Sequence, residues 1–424
     1  MMKRGFAAIA ASLFLMAVCS TTGFAAGFRL PEQDTAAMSM ASAFVGQADN
    51  PSAVWYNPAG ITRFDGTRIS GGVIGIYPVL THENNTVNPG TTDVSSRDIH
   101  LPFHLYATHK LNDRIAFGIS VNNPFGLTTD WAPASSTRYV ATFTNLATTE
   151  VNPNIAYKLS DHLSAAFGIA YVHLRATLEN TANVILPGPT LLGDHNFRMS
   201  GDGDGWGFNA AVQYKVSDAV SSGLSYRSRI KIDVDGTADL TGGPAAISAS
   251  GSTTITLPDL VQLGVSWKTS DNLTVNADLD YTLWSTYDRM VITSDLFTPL
   301  TGSNTMTDEK QWKDVWCLRI GGEYKLSDQW KLRAGYLYDK NPVPEGHFET
   351  RTPDSDRQGI TIGTGYTKGN MTIDLGYMHL RFNDRTVNDS QADDDANPLT
   401  PANPLNGTYQ SQAQLAGITI GYTF

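Results

Sequence analysis

Strict alternation of apolar and polar residues constrains the fold of this chain more than any other sequence feature. Between Trp206 and Tyr214, every second residue is apolar and the residues between are mostly small or polar. A period of two gives a β-strand with one apolar face and one polar face. Comparable segments recur from Ile115 to the end of the chain at Phe424, which predicts an all-β fold.

Short turn sequences separate the alternating segments. In each of the clearest five, a Ser or Asn precedes an Asp, and the oxygens of such side chains favour tight turns by bonding nearby backbone N–H groups. The turns recur about every fifty residues, which suits two strands and a long loop at the far end. They are Lys110–Asp113, Lys158–Asp161, Lys215–Asp218, Lys268–Asp271 and Lys325–Asp328, with Thr367–Asn370 as a variant.

Counting strands from these turns predicts a transmembrane barrel of fourteen antiparallel strands. The six turns account for twelve strands, and Thr67–Tyr77 and Gln412–Phe424 add one at each end. Bacterial outer-membrane barrels have an even number of strands, with short turns on one side and long loops on the other. A soluble β-sandwich or propeller is the alternative, but long strands and the asymmetry of the loops favour the barrel.

The average composition conceals this pattern. The chain is 41% hydrophobic with a mean hydropathy of −0.20, values that would suit a soluble protein. After residue 25, no apolar stretch reaches the roughly 18 residues that a membrane-spanning helix needs. The formal net charge of −11 argues against nucleic acid as a partner.

The first 25 residues are predicted to be a secretory signal peptide. A basic start precedes an apolar stretch from Ala7 to Cys19, and small residues lead to a cleavage site after Ala25. Cys19 as a lipoprotein cysteine is the alternative, and Val18 before it is a poor match to the small residue expected there. Cleavage after Ala25 would leave Cys317 as the only cysteine, so no disulfide is expected.

Residues 26–66 do not alternate and are predicted to form a separate N-terminal unit, with the barrel spanning residues 67–424. The segment is rich in Ala, Met and Ser and carries scattered large apolar side chains. A barrel of fourteen strands is wide enough to leak if its lumen is empty. We therefore predict a hatch that plugs the lumen; a periplasmic tail is the alternative.

A set of motifs keeps its order and spacing over nearly the whole mature chain. They are Ala26–Leu30, Asn57–Ala59, Trp206–Asn209, Tyr226–Asp233, Leu257–Asp259, Tyr281–Ser285, Asp339–Pro344 and Pro353–Arg357. These motifs resemble those of FadL/TodX-type outer-membrane transporters for long-chain fatty acids and other hydrophobic compounds. The resemblance implies a hatch in the lumen, an apolar pocket with a basic residue, and a substrate that leaves sideways into the membrane.

The resemblance also implies particular ligand-binding residues. Phe28 matches the hatch tip that lines the family's pocket. Arg175 matches a family arginine and would pair a carboxylate head group through its forked guanidinium; a lumen arginine neutralised by Glu179 is the alternative. A hatch turn with a gating role is implied for Asn57, Pro58 and Ala59.

Two further regions are candidate parts of the route. A lateral opening is predicted after the third strand, where Pro124 lacks a backbone donor and Gly126 permits a bend; an ordinary strand end is the alternative. That opening comprises Asn122, Asn123, Pro124, Phe125 and Gly126. The outer loops at 180–201 and 236–253 resemble the family's capture groove, or fold over the barrel mouth instead. An exposed apolar stretch usually marks a binding site, and here it contains Ile185, Leu186, Leu191 and Leu192.

These features predict passive uptake of fatty acids or of aromatic or aliphatic hydrocarbons across the outer membrane of a Gram-negative bacterium. The alternative is a structural, receptor or adhesin barrel that transports nothing. We expect no enzyme, cofactor or metal site, because the chain has no G-x-S-x-G element and its nine His lack metal-ligand spacing. The expected partners are the hydrophobic substrate, outer-membrane lipid and lipopolysaccharide, and the barrel-assembly machinery, which would recognise the last strand and Phe424. The protein is expected to be a monomer.

Overall fold

The alternating segments form one continuous antiparallel sheet in a computed structural model of the protein. The structure describes residues 27–185, 191–242, 246–298, 302–388, 390–391 and 403–424, so the predicted signal peptide lies outside it. The first strand segments are β1 Thr67–Asn84, β2 Thr92–Val94, β3 Phe103–Lys110, β4 Ile115–Asn122, β5 Gly126–Asp130, β6 Phe143–Lys158, β7 Leu163–Ile185, β8 Leu191–Lys215, β9 Val220–Arg227 and β10 Ile230–Thr241. The remaining ones are β11 Ile247–Leu257, β12 Asp259–Lys268, β13 Leu273–Leu283, β14 Arg289–Ser294, β15 Thr305–Glu309, β16 Val315–Lys325, β17 Trp330–Asp339, β18 Arg357–Lys368, β19 Met371–Phe382, β20 Arg385–Val387 and β21 Gly407–Thr423.

These segments build fourteen wall strands in the described part of the chain, because seven of the wall strands are interrupted once. Each interrupted wall strand consists of two segments, which are β2 and β3, β4 and β5, β9 and β10, β11 and β12, β13 and β14, β15 and β16, and β19 and β20. The first and last strands pair from Arg68 opposite Thr423 to Asn84 opposite Gly407, which closes the barrel. A closed sheet leaves no unpaired edge in lipid. The predicted fourteen-stranded barrel is confirmed.

The outer face of the wall is apolar, as the alternation predicts. Trp206 and Phe208 are exposed on β8, whereas Asn209 and Gln213 of the same strand are buried. The same division holds on β12, where Leu263 and Val265 are exposed and face away from the lumen. Much of the hydrophobic content of the chain therefore lies on the outside of the barrel, where a lipid bilayer would cover it.

The repeated turn sequences form the short connections. In the turn between β6 and β7, Ser160 Oγ accepts the backbone N–H of Leu163 at 3.2 Å. Lys158 reaches across the same turn to Asp161, with 2.7 Å between Nζ and Oδ1. The turns at Lys215, Lys268 and Lys325 repeat this ion pair. The predicted side-chain bonds of the Ser-Asp turns are thus present.

Residues 27–66, here called the inner segment, lie on the buried face of the wall. They contain helix α1 (Thr35–Met38), helix α2 (Ala53–Tyr56) and a 3-10 helix (Pro58–Arg63). Other 3-10 helices are Trp284–Thr286, Asp295–Phe297 and Glu345–His347. None of the helices in the described ranges has the length and hydropathy that a membrane span requires.

Polar side chains of the wall attach the inner segment. One carboxylate oxygen of Asp278 accepts the backbone N–H groups of Phe44 and Val45 at 2.7 and 2.8 Å. The Arg227 guanidinium donates to the Trp55 carbonyl oxygen at 2.8 Å and pairs with Glu150 at 2.9 Å. Each of these wall groups is buried. The attachment is therefore specific, because every displaced contact would leave a buried polar group unsatisfied.

Candidate functional site

A cavity of about 620 Å³ lies between the inner segment and one side of the wall. On the wall, its lining comes from β1, the residues before β3, the third wall strand, β6, the loop before β18 with the start of β18, the end of β19 and the first half of β21. Most of the lining is apolar, with Ile76, Leu80, Leu101, Phe125, Leu127 and Phe382 among the larger side chains. A mainly apolar cavity with a few polar groups is the usual form of a site for a small hydrophobic ligand.

The cavity lies at an opening in the wall. Backbone pairing between the second and third wall strands ends at the pair His104–Asn122 and resumes where Ser96 N donates to the Asp130 carbonyl oxygen. One side-chain bond follows the last pair, from Phe103 N to Asn123 Oδ1 at 2.9 Å. In the described residues, no backbone hydrogen bond joins the two strands between these points. We call this opening the window.

At the window, the third wall strand forms backbone hydrogen bonds with the inner segment instead of with the second wall strand. Leu30 N donates to the Pro124 carbonyl oxygen at 2.8 Å, and Gly126 N donates to the Phe28 carbonyl oxygen at 3.0 Å. Pro124 itself has no N–H to donate, which interrupts the ladder of the third wall strand. The structure therefore joins the start of the inner segment directly to the interrupted strand.

Phe28 sits in a cluster of aromatic side chains next to the cavity. Its ring centroid lies 4.7 Å from that of Trp284 and 6.0 Å from that of Phe125. Trp312 and Tyr287 complete the cluster, with 5.0 Å between their ring centroids. These are edge-on contacts of the kind that aromatic pairs favour. Phe28 is buried by this packing, and Phe125 connects the aromatic cluster to the cavity lining.

Four charged side chains line the cavity, and the two cations are already paired. Arg29 forms an ion pair with Asp280 at 2.6 Å, and Arg357 forms one with Asp339 at 2.9 Å. The two lining acids are Glu32 and Asp354. Asp354, in the loop before β18, accepts the backbone N–H of Gly27 at 2.7 Å. Burial raises the pKa of Asp354 to about 7.

A second buried ion cluster lies beside the aromatic cluster, where the end of β15 meets the loop before β18. The Lys310 ammonium pairs with both Asp308 and Glu349. Burial alone would lower the pKa of Lys310, but the two carboxylates outweigh it and raise the pKa. Burial raises the pKa of the neighbouring Tyr287 to about 12, so its hydroxyl keeps its proton at neutral pH.

The structure does not bring Arg175 to the cavity. Arg175 is exposed on the face of β7 that carries Tyr171 and His173, and its Nε donates to His173 Nε2 at 3.2 Å. Glu179, its expected alternative partner, pairs with Arg198 at 2.6 Å instead. Leu174, the neighbour with the opposite orientation, is buried. The period-two geometry of the strand thus directs Arg175 outward.

The predicted hatch turn lies deep in the lumen. Asn57 caps the 3-10 helix by accepting the Ala59 N–H at 3.2 Å, and its amide donates to Gln213 Oε1 at 2.7 Å. Pro58 occupies the first position of that helix, where a missing N–H costs nothing. All three of Asn57, Pro58 and Ala59 are buried, far in sequence from the wall groups that hold them.

The predicted capture residues lie at the edge of the described chain. β7 and β8 pair as far as Ile185 opposite Leu191, and Leu192 follows in β8. Leu186 lies outside the described residues. Their role in capture stays a prediction.

Sequence reasoning missed the charged groups of the cavity. Asp339, Asp354 and Arg357 all lie in motifs that carry the family resemblance, and Arg29 lies in the first of them. A signal was therefore present, because these residues lie in motifs that resemble those of the FadL/TodX family. Their pairing could not be deduced, because it depends on strands that meet only when the barrel closes.

A closed antiparallel barrel with an apolar outer face and a filled lumen defines the class of outer-membrane β-barrels. The chain belongs to the outer membrane protein transport protein family (OMPP1/FadL/TodX), whose family model matches residues 16–424. This confirms the resemblance and the predicted location in the outer membrane.

Known relatives cover most of the chain. The long-chain fatty acid transport protein of Salmonella typhi is 27% identical over 400 residues, which span 86% of this chain and 90% of that protein. Outer membrane protein P1 of Haemophilus influenzae is 26% identical over 453 residues, 94% of this chain and 95% of that protein.

Solved structures share the fold. A FadL homologue of Pseudomonas aeruginosa has a TM-score of 0.82 at 21% identity, covering 94% of this chain and all of that one. The toluene transporter TodX of Pseudomonas putida has a TM-score of 0.69 at 18% identity, covering 95% of this chain and all of that one. At these identities the likeness shows the fold alone.

Proposed function

We propose that the protein is a passive channel for the uptake of hydrophobic molecules across the outer membrane. The observation that carries this proposal is the apolar cavity of about 620 Å³ beside the window. Transfer of a methylene group into water costs about 0.8 kcal/mol, so a long alkyl chain favours an apolar path over a watery pore. The names of the relatives, a long-chain fatty acid transport protein and a toluene transporter, support cargo of this kind.

The cargo leaves sideways through the window into the membrane. Leu101 and Ile99 lie at the window with 64% and 65% of their surface exposed, and both also line the cavity. An apolar surface that continues from the cavity to the outside of the wall supports a lateral route. The interruption at Asn122, Asn123, Pro124, Phe125 and Gly126 supplies the gap.

The inner segment is the hatch that gates this route. Its start contacts both the window, through Phe28 and Leu30, and the aromatic cluster. Displacement of Phe28 would enlarge the cavity toward Trp284 and Trp312. In this proposal Asn57, Pro58 and Ala59 anchor the far end of the hatch while its start moves.

The outer loops capture the cargo before it enters the lumen. Ile185 and Leu191 pair at the end of the described part of the β7–β8 hairpin, and in the sequence they form an apolar stretch together with Leu186 and Leu192. Outer-membrane lipid and lipopolysaccharide surround the wall in this proposal. The barrel-assembly machinery recognises the last strand, whose terminal Phe424 is exposed, and the protein works as a monomer.

The proposal is tested by removing the hatch. A variant lacking Ala26–Asp65 should lose uptake of a radiolabelled hydrophobic probe, because the path to the window is no longer formed. Barrel assembly is checked in parallel by resistance to unfolding at room temperature on a gel. Unchanged uptake by an assembled barrel would contradict the hatch. No uptake by the wild-type protein would favour a receptor or structural barrel instead.

A further inference from the structure

We propose that the cavity takes an electrically neutral hydrophobic molecule, such as a hydrocarbon or a long-chain alcohol, in preference to a carboxylate anion. The inference rests on the proposed transport function and names its substrate class. The observation behind it is the commitment of every cavity arginine to a carboxylate of the chain itself.

The first arginine of the cavity shares its carboxylate. Arg29 pairs with Asp280 at 2.6 Å, and Arg319 contacts the same Asp280 oxygen at 3.2 Å. Another Arg29 donor, Nη1, bonds Thr282 Oγ1 at 3.1 Å. Its Nε has no hydrogen-bond partner among the described residues and is itself buried. Arg29 therefore presents no accessible cation to a ligand.

The second arginine, Arg357, is paired with a carboxylate through two of its three guanidinium nitrogens. Two nitrogens of the Arg357 guanidinium donate to one oxygen of Asp339, at 2.9 and 3.1 Å. Both side chains are largely buried. Such paired, charge-assisted bonds are the strong class of hydrogen bond, and a ligand carboxylate would have to compete with Asp339 for them.

The acids of the lining make the cavity still less suited to an anion. Glu32 lines it without a hydrogen bond or ion pair among the described residues, and Asp354 lines it while accepting only backbone N–H groups at its carboxylate. The positive charges of Arg29, Arg357 and the neighbouring Arg319 are thus equalled in number by Asp280, Asp339 and Glu32 before Asp354 is counted. A ligand carboxylate would add a buried charge without a cation to balance it.

Other nearby cations are also engaged. Lys310 is held between Asp308 and Glu349. Arg351 and Arg385 do not line the cavity and donate to backbone or amide oxygens. A neutral cargo avoids this problem, since its apolar body meets the apolar lining and no charge is dehydrated.

The test compares two probes of equal length, hexadecan-1-ol and hexadecanoic acid, at neutral pH. Cells that lack other hydrophobe channels produce the full-length protein, and radiolabel uptake is measured against cells without it. We expect the protein to stimulate alcohol uptake at least about tenfold more than acid uptake, because only the acid brings an unbalanced buried charge. Equal or greater stimulation of acid uptake would overturn the inference and leave the proposed transport function standing. Stimulation of neither probe would contradict both.

A variant links the preference to the arginines. Asp339→Asn removes the charge that engages Arg357, and we expect acid uptake to rise severalfold while alcohol uptake changes little. The matched control is Asp233→Asn, which removes an equal charge from an exposed pair with Lys231. A rise in acid uptake in the control, or none in Asp339→Asn, would overturn the role of Arg357.

Equilibrium binding provides a measurement that needs no variant. Purified wild-type protein binds radiolabelled hexadecan-1-ol, and unlabelled hexadecanoic acid competes for the site. The inference predicts that the acid competes at least about tenfold more weakly than unlabelled alcohol. Equal competition would overturn it even if Asp339→Asn failed to fold.

Discussion

At the scale of the residue, Gly27 determines how the inner segment meets the aromatic cluster. Its φ is +65°, and a Cβ there would lie 2.7 Å from a Trp312 ring carbon and 2.9 Å from a Trp284 ring carbon. Gly27→Ala should therefore cost more than the roughly 1–2 kcal/mol of a left-handed backbone, because the rings must also shift. Near-ultraviolet circular dichroism of the two tryptophans measures that shift.

Gly369 supplies the matched control for this prediction. Its φ is +57°, but a Cβ there meets nothing within 4 Å. Gly369→Ala should bear only the backbone cost and leave the aromatic signal unchanged. Equal spectra for the two variants would contradict the close packing of Gly27.

Asp354 makes the start of the inner segment sensitive to pH. Its pKa is raised to about 7 by burial, whereas an exposed aspartate titrates near 4. While the start of the inner segment is packed in place, Asp354 therefore keeps a proton that it would lose between about pH 4 and pH 7 once exposed, so the packed arrangement becomes less stable as the pH rises through this range. Hydrogen exchange of residues 27–33, corrected for its intrinsic pH dependence, should show this loss of protection. Asp354→Asn should abolish it, and a persistent pH dependence in that variant would exclude Asp354 as its source.

At the scale of the element, the inner segment stays in the lumen because buried polar groups hold it. Arg227→Met would leave Glu150 buried without its cation, a loss of about 3–5 kcal/mol, and would remove the donor to Trp55. We expect larger or more frequent current steps in planar bilayers as the segment loosens. The double variant Arg227→Met/Glu150→Gln removes the stranded charge and should be closer to the wild type. A double variant as leaky as the single one would contradict this account.

The elements themselves were largely predictable from the sequence. Alternation locates strands well when one face meets lipid, and the Ser-Asp turns mark their ends, so fourteen strands follow from counting. The prediction for the first strand, Thr67–Tyr77, is too short, because β1 continues to Asn84 by pairing with the start of β21. Pro124 lies between the end of β4 at Asn122 and the start of β5 at Gly126. For Arg175 the family resemblance misled, since it lies an even number of residues from Phe167 and Ile169 and therefore shares their exposed face of β7.

At the scale of the whole molecule, the barrel reverses the usual distribution of side chains. Apolar residues cover the outside, polar residues line the lumen, and the inner segment fills the space that a wide barrel would leave empty. The cavity and the window exist only where this arrangement is locally broken. The residues that line them, above all the paired arginines, come together through contacts between strands that are distant in sequence. The local sequence pattern therefore could not predict these contacts.

The central claim is that hydrophobic cargo passes from the cavity through the window, and uptake by a window variant tests it most directly. Leu101→Glu places a charge at the exposed apolar rim, and Leu326→Glu places the same charge on an exposed short turn away from it. We predict that uptake of hexadecan-1-ol falls at least about fivefold in Leu101→Glu, because the charge must be dehydrated along the route, and stays at the wild-type level in Leu326→Glu. Equal uptake by both variants, with both barrels folded, would contradict passage through the window.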